Sequence, residues 1–340
     1  MKRKLLVTGG AGFIGSNFIH YWSKKYSEDL LVVVDDLTYA GNINNIKSLV
    51  EQKKVIFEKN NICNKEAMLK IFDEFKITHL INFAAESHVD RSIKNPDEFL
   101  KTNILGTYNL LEVFRIHWEK NNYLDNFRFL QISTDEVFGS LGKKNEKFHE
   151  KYPYDPQSPY SASKASADHL VNAWCNTYGL PVLRSNCSNN YGPFHYPEKL
   201  IPLAITNIIK GKEIPIYGDG SNIRDWLHVY DHCSALELIL LNANIGEKYC
   251  IGGDNQISNL QLIQKICFLM NELYYPKNTK FKDATKLIKF VKDRKGHDYR
   301  YSVSNQKIIK KLGWSPSITL DKGLKLTIEW YLKNTKWWDF

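Results

Sequence analysis

No apolar run in this chain approaches the roughly 20 residues of a membrane-spanning helix, and the first one stops at Val7, where glycines take over. A secretory signal needs a longer apolar stretch and a small-residue cleavage site. The opening segment is therefore not expected to be an export signal. The six cysteines, Cys63, Cys175, Cys187, Cys233, Cys250 and Cys267, form no C-x-x-C pair and no regular framework. A chain of 340 residues buries enough surface to dispense with cross-links. Reduced thiols and a cytoplasmic setting are expected. Long basic runs are missing too: the formal charge of +9 comes from scattered lysines, which favours a solvated surface and gives no reason to expect a nucleic-acid partner. His228 and His232 stand at helical spacing, but no Glu completes a metalloprotease pattern and the helix is expected to start only after Asp231 as its N-cap, so no metal site is expected. Repeats and low-complexity segments are absent. What remains is ordinary globular composition, with 43% hydrophobic and 24% charged residues.

Against that background "LLVTGGAGFIGSNF", Leu5 to Phe18, stands out for four glycines in seven residues. Lys4 to Val7 read as a buried strand, Gly9, Gly12 and Gly15 as a sharp turn, and Phe13 as the start of a helix. Glycine permits the turn and lets backbone N–H groups approach a pyrophosphate at the helix N-terminus. A second strand, "LLVVVDD", ends at Asp35, about 20 residues after Gly15, where a carboxylate accepts both ribose hydroxyls of NAD and repels a 2′-phosphate.

Strand and helix patterns then alternate. "VIFEKN", "HLINFAA", "RFLQIST" and "PVLRSN" read as strands, "KEAMLKIFDEF", Phe99 to Trp118 and Tyr160 to Tyr178 as helices. The alternation predicts a Rossmann-like, doubly wound parallel α/β sheet. Such sheets bind ligands beyond the carboxyl ends of their strands, here Asp35, Ala84 to Glu86, Ser133 to Glu136 and Asn186 to Asn190. Past Asn186 the rhythm loosens into turn-rich, aromatic segments before helical stretches at Asn259 to Leu273 and Gly323 to Leu332. A smaller α/β substrate-binding lobe is expected there. The division is a dinucleotide-binding domain over 1–185 and about 230–256, with the lobe made of 186–229 and 257–340.

"YSASK" places Tyr160 and Lys164 on one helical face. An ammonium near a phenol, and the positive nicotinamide of NAD, favour phenolate and hence a base. "TGGAGFIG", "STDEVFG", "YSASKA" and "NCSNNYGPFHYPEKLIPL" together resemble the extended short-chain dehydrogenase/reductase superfamily. Within it the chain is similar to the nucleotide-sugar 4,6-dehydratases of the dTDP-glucose 4,6-dehydratase type. The similarity runs nearly its full length, through "DLTYAGN", "AAESHVDRSI", "GDGSNIRDWLHVYDH" and "DRKGHD".

The resemblance implies a cycle of C4 oxidation, loss of water across C5 and C6, and hydride return to C6. Tyr160 would take the C4 hydroxyl proton, Glu136 the C5 proton, and Asp135 would protonate the leaving C6 hydroxyl. Thr134 would bond the C4 oxygen, and Lys164 the ribose. NAD would lie along Gly9, Gly12, Phe13, Ile14, Gly15, Asp35, Asn61, Ile62, Ala84, Ala85, Thr102, Ser133, Tyr160, Lys164 and Asn189. The sugar nucleotide would meet Ser87, Asn189, Lys199, Leu200, Arg224, Arg294 and His297, with the two arginines on its diphosphate. A homodimer through Thr102–Trp118 and Tyr160–Tyr178 is also implied.

Three positions depart from the pattern: Asp36 where many relatives carry Lys or an apolar residue, Asn61 in place of an aspartate expected to meet the adenine amine, and Lys295 inside Arg-Pro-Gly-His-Asp. An amide oxygen at Asn61 can still accept from that amine. A 4-epimerase usually has small residues where Asp135 and Glu136 stand, and remains the same-fold alternative. A catalytically idle NAD-binding regulator is the alternative from another class. Thymine and uracil, differing by one methyl, are not separated.

Overall fold

The computed structural model describes residues 2–142, 146–274, 283–294 and 296–339; Lys295 lies outside them. The first half of the chain runs β1 (Lys4–Thr8), α1 (Phe13–Lys25), β2 (Leu30–Asp35), β3 (Ile56–Lys59), α2 (Lys65–Phe75), β4 (His79–Asn82), α3 (Thr107–Lys120), β5 (Arg128–Thr134) and α4 (Pro159–Tyr178). It continues as β6 (Val182–Cys187), β7 (Asn189–Tyr191), α5 (Leu200–Lys210), β8 (Ile214–Tyr217), β9 (Ile223–His228), α6 (Val229–Asn242) and β10 (Lys248–Ile251). Beyond these come β11 (Gln256–Ser258), α7 (Asn259–Leu273), β12 (Ile288–Val291) and α8 (Leu320–Lys333).

Among the described residues the main sheet has the order β10-β6-β5-β4-β1-β2-β3, parallel throughout. Both faces are covered, so its strands are nearly continuous apolar runs whose alternate residues point opposite ways. Leu5, Val7 and Val33 pack with Phe18 and Trp22 of α1 and Leu236 and Ile239 of α6. Leu6, Val32 and Val34 pack with Phe72 of α2, Phe114 of α3 and Val171 of α4. The strand order reverses between β1 and β4, which opens a crevice at their carboxyl ends.

A second core joins Ile201 and Ile205 of α5, Ile263 and Ile266 of α7, Leu324 and Ile328 of α8, and Trp226 of β9. Two small sheets, β11-β9-β7 and β12-β8, accompany it. Residues near the end of the chain also reach back to its start. Trp337 Nε1 donates to Asn45 Oδ1 at 2.7 Å, and Asn45 Nδ2 donates to the Ala11 carbonyl, inside the glycine turn, at 2.8 Å.

Two expectations are corrected. The helix predicted over Phe99 to Trp118 contains a π-helical segment, Leu100–Gly106, ahead of α3. Its backbone bonds are poorer than α-helical ones, and three side-chain bonds from the buried Asn103 compensate. Asn103 accepts from the Glu86 N–H at 2.9 Å and donates to the Glu86 carbonyl at 3.0 Å and Ser163 Oγ at 2.8 Å. The N-cap of α6 is His228 rather than Asp231. Asp231 sits in the first turn because its carboxylate is taken by the N–H groups of Ser317 and Ile318, at 3.0 and 2.8 Å, and by the Ser317 hydroxyl at 2.7 Å.

Candidate active site

The glycine turn is packed too tightly for any other residue. Gly9 has a φ of +67°, and a Cβ there would lie 2.6 Å from the Ala84 nitrogen. One on Gly15 would lie 2.4 Å from the Gly9 carbonyl. Gly12, the N-cap of α1, supplies no side chain to the first N–H groups of that helix, so they are left for an anion. Asp35 closes the next station: its two carboxylate oxygens accept from the Ala11 and Leu37 N–H groups at 2.9 and 2.8 Å. Burial pushes its pKa up, and those two donors oppose the shift.

A cavity of about 380 Å³ runs from this turn along the strand ends. Gly9, Gly12, Phe13, Ile14, Gly15, Asp35, Asn61, Ile62, Ala84, Ala85, Thr102, Ser133 and Asn189 line it together with Thr134, Asp135, Glu136, Tyr160 and Lys164. Ser87, Lys199 and Leu200 line its far side. Arg224, Arg294 and His297 are not among its walls, because the guanidinium of Arg224 is turned onto main-chain carbonyls. It donates to Ile223 O at 2.8 Å and Asp298 O at 2.9 Å and stacks 4.2 Å over Tyr301. His297 is held by Asp293 at 2.6 Å. Arg294 Nε is buried without a partner, which suits an anion.

At the reacting end β5 passes into a tight turn, Asp135–Phe138, capped by Thr134, whose hydroxyl accepts from the Glu136 N–H at 3.2 Å. The neighbouring carboxyls meet different surroundings. Asp135 is 1% exposed and one of its oxygens has no partner. Burial first, then the Glu136 charge, pushes its pKa well above the aspartate range. Glu136 is also pushed up by burial, but Arg294, Arg224 and Lys199 pull it back. Both carboxyls thus hold a proton above their ordinary values, Asp135 the more firmly, and at Glu136 three cations oppose the shift.

Tyr160 and Lys164 share a face of α4, but the Lys164 amine donates to the Ile132 carbonyl at 2.7 Å rather than to the phenol. Burial, followed by Glu136, pushes Tyr160 up, while the Thr134 hydroxyl acts in the opposite direction. In the chain alone the phenol is therefore neutral, and phenolate needs added positive charge in the cavity.

Sequence reasoning missed the groups that hold these parts in place. Asn103 ties the end of β4 to α4, and its only sequence signal is an amide at an otherwise apolar helix position. His195 stacks on Phe13 with ring centroids 4.1 Å apart and is kept neutral by burial, which pulls it down to about 3. Arg91 lies 3.8 Å over Tyr39 and pairs with Glu198 at 3.2 Å, joining the sheet's loops to the second lobe.

A parallel sheet in this order, a glycine turn under its first helix and a tyrosine-lysine pair facing the strand ends define a short-chain dehydrogenase/reductase of the extended kind. The family described as GDP-mannose 4,6 dehydratase matches residues 6–327, and the chain belongs to it. It is 49% identical over 338 residues to the dTDP-glucose 4,6-dehydratase of Neisseria meningitidis serogroup B, covering 99% of this chain and 95% of the relative. Identity to the enzyme of the same name from Salmonella typhimurium is 48%, covering 98% and 94%. The crystal structure of dTDP-glucose 4,6-dehydratase from Bacillus anthracis in complex with NAD superposes with a TM-score of 0.87 at 44% identity, covering 99% of this chain and 98% of that one.

Proposed function

We infer that the protein is an NAD-dependent nucleotide-sugar 4,6-dehydratase, a hydro-lyase, with dTDP-glucose, which appears in its relatives' names, as its substrate. The observation that carries the reading is the Asp135-Glu136 pair, Asp135 buried and Glu136 half-buried, lining the same cavity as Tyr160 with Asp135 the more strongly raised. The glycine turn fits the dinucleotide, since Gly9 and Gly15, where a Cβ would collide with neighbouring backbone, let the turn pack closely, and the first N–H groups of α1 carry no side-chain cap. Bound NAD supplies a hydride acceptor at C4 of the sugar and a hydride donor at C6.

The chain's own residues do the rest. Tyr160 takes the proton of the C4 hydroxyl, with the Thr134 hydroxyl beside it to bond the C4 oxygen. The 4-ketone acidifies C5, and Glu136, beside three cations that oppose its upward shift, removes that proton and returns one to C5 after water has left. Asp135, protonated by its burial, gives a proton to the C6 hydroxyl as it departs as water. Lys164 holds the ribose and fixes α4 against β5. Ser87, Asn189, Lys199 and Leu200 cradle the sugar nucleotide, and Arg294, whose Nε has no partner, neutralises its diphosphate, with Arg224 and His297 joining it once they leave their present bonds to carbonyls and Asp293. The dinucleotide belongs to 1–185 and about 230–256, the sugar nucleotide to 186–229 and 257–340. Homodimer formation through α3 and α4 belongs to the same reading, supported by Leu105 and Tyr108 standing 58% and 43% exposed. So does a cytoplasmic setting, supported by six free cysteines.

The test is a single turnover of Glu136→Gln with dTDP-glucose and, beside it, UDP-glucose, following nicotinamide absorbance and product. Reduced nicotinamide should still form while dehydration slows about 10²–10⁴-fold. A variant that dehydrates at the parent rate, or a parent that inverts C4 and retains the C6 oxygen, would overturn the reading in favour of an epimerase.

A further inference from the structure

Beyond Asp35 the cavity ends in a wall that includes Asp36, Asn60, Asn61 and Ile62. This is where the adenine of a dinucleotide whose ribose meets Asp35 must lie. Adenine presents an amino donor on its six-membered ring, so the wall has to offer an acceptor. Asn61 offers only the second lone pair of its oxygen, because each end of its amide already holds a neighbour. Its oxygen accepts from the Cys63 N–H at 2.8 Å, and its nitrogen donates to Asp36 Oδ2 at 2.8 Å. A backbone N–H can bond only the oxygen and a carboxylate only the nitrogen, so these two neighbours fix which way the amide points. The NH₂ group is on the Asp36 side, where it would repel an incoming amine.

We propose that Asp36, rather than Asn61, is the acceptor for the adenine amino group, and that Asn61 serves to aim the Asp36 carboxylate at it. A carboxylate has about four lone-pair sites, of which Asn61 uses one. Asp36 is exposed at the end of β2, so little desolvation opposes the role. The two departures noted at positions 36 and 61 are then a single exchange, in which the negative charge has crossed from the loop after β3 to the end of β2. The assignment makes Asp36 a specificity-determining residue. Hypoxanthine, which carries a carbonyl where adenine carries the amine, would face the carboxylate with a repelled acceptor.

The proposal rests on the NAD reading, and one titration series separates the two. NAD and nicotinamide hypoxanthine dinucleotide are titrated calorimetrically into the full chain and into D36A, N61D and the D36A/N61D double variant. The parent should prefer NAD. D36A should weaken NAD by about ten- to a hundredfold, as expected for a hydrogen bond to a charged group, and should largely erase the preference. N61D alone should also weaken NAD, because two carboxylates then crowd one spot. The double variant should recover toward the parent, since one carboxylate again faces the amine. Unchanged NAD affinity and preference in D36A, or a double variant no better than D36A, would overturn the assignment of Asp36 alone. A parent that binds no NAD would overturn the cofactor reading as well.

Discussion

At the scale of single residues the site is built by withholding solvent and partners from groups that ordinarily have both. Asp135 shows this best, with an oxygen that nothing satisfies and a proton it retains far above the usual aspartate range. An unsatisfied buried polar atom costs about 1–3 kcal/mol, so part of the molecule's stability is given up for an acid. The folded chain keeps this proton to a higher pH than the unfolded chain does. Stability therefore falls as pH climbs from the ordinary aspartate value toward the raised one, and the loss is absent below both. Asp135→Asn keeps an acceptor for the Thr134 hydroxyl, which donates to Asp135 Oδ1 at 3.4 Å, while removing the titration. Its unfolding free energy should match the parent's near about pH 4 and exceed it at neutral pH, the margin growing by about 1.4 kcal/mol per pH unit over which the folded parent keeps the proton. Denaturation followed across that range checks the prediction, and a difference independent of pH would count against a protonated Asp135.

At the scale of elements, local pattern decides where strands lie and long-range contact decides the irregular segments. "RFLQIST" was legible as a strand because its alternate residues feed the cores on opposite faces of the sheet. The carboxyl ends of β1, β2, β4 and β5 followed from topology alone. The π-helical segment was not legible, because its support lies in partners 17 and 60 residues away from Asn103. The same holds for Arg224, whose charge was visible in sequence but whose saturation by carbonyls was not. It holds again for Asn61, whose amide is oriented by a residue 25 positions earlier. Asn103→Ala would strand the Glu86 N–H and carbonyl together with Ser163. The variant should lose about 2–4 kcal/mol of unfolding free energy, a sum over such groups at the usual cost. Asn103→Asp, which can still accept from Glu86 but cannot donate, should fall between the two in chemical denaturation. Equal losses for both would mean that only the volume of the side chain matters.

For the whole molecule, two cores share one cavity, and the chain crosses between them several times. On the outside, Leu100, Leu105, Tyr108 and Tyr178 leave apolar surface at 46, 58, 43 and 47% exposure on the face formed by the π segment, α3 and α4. If the chain pairs through this face as proposed, Leu105→Glu combined with Tyr108→Glu should yield a folded monomer in sedimentation velocity, since Leu105 is mostly exposed and Tyr108 meets the half-buried Trp174 only edge-on at 5.7 Å. A persistent dimer would place the interface elsewhere. The bond from Trp337 to Asn45, and from Asn45 to the glycine turn, has a consequence for synthesis on the ribosome. The turn emerges long before one of its braces, 292 residues separating Asn45 from Trp337. A nascent chain can assemble the strands of its sheet early, but it completes the support of its dinucleotide pocket only once Trp337 has emerged. Cofactor capture should therefore follow synthesis of that brace rather than guide it.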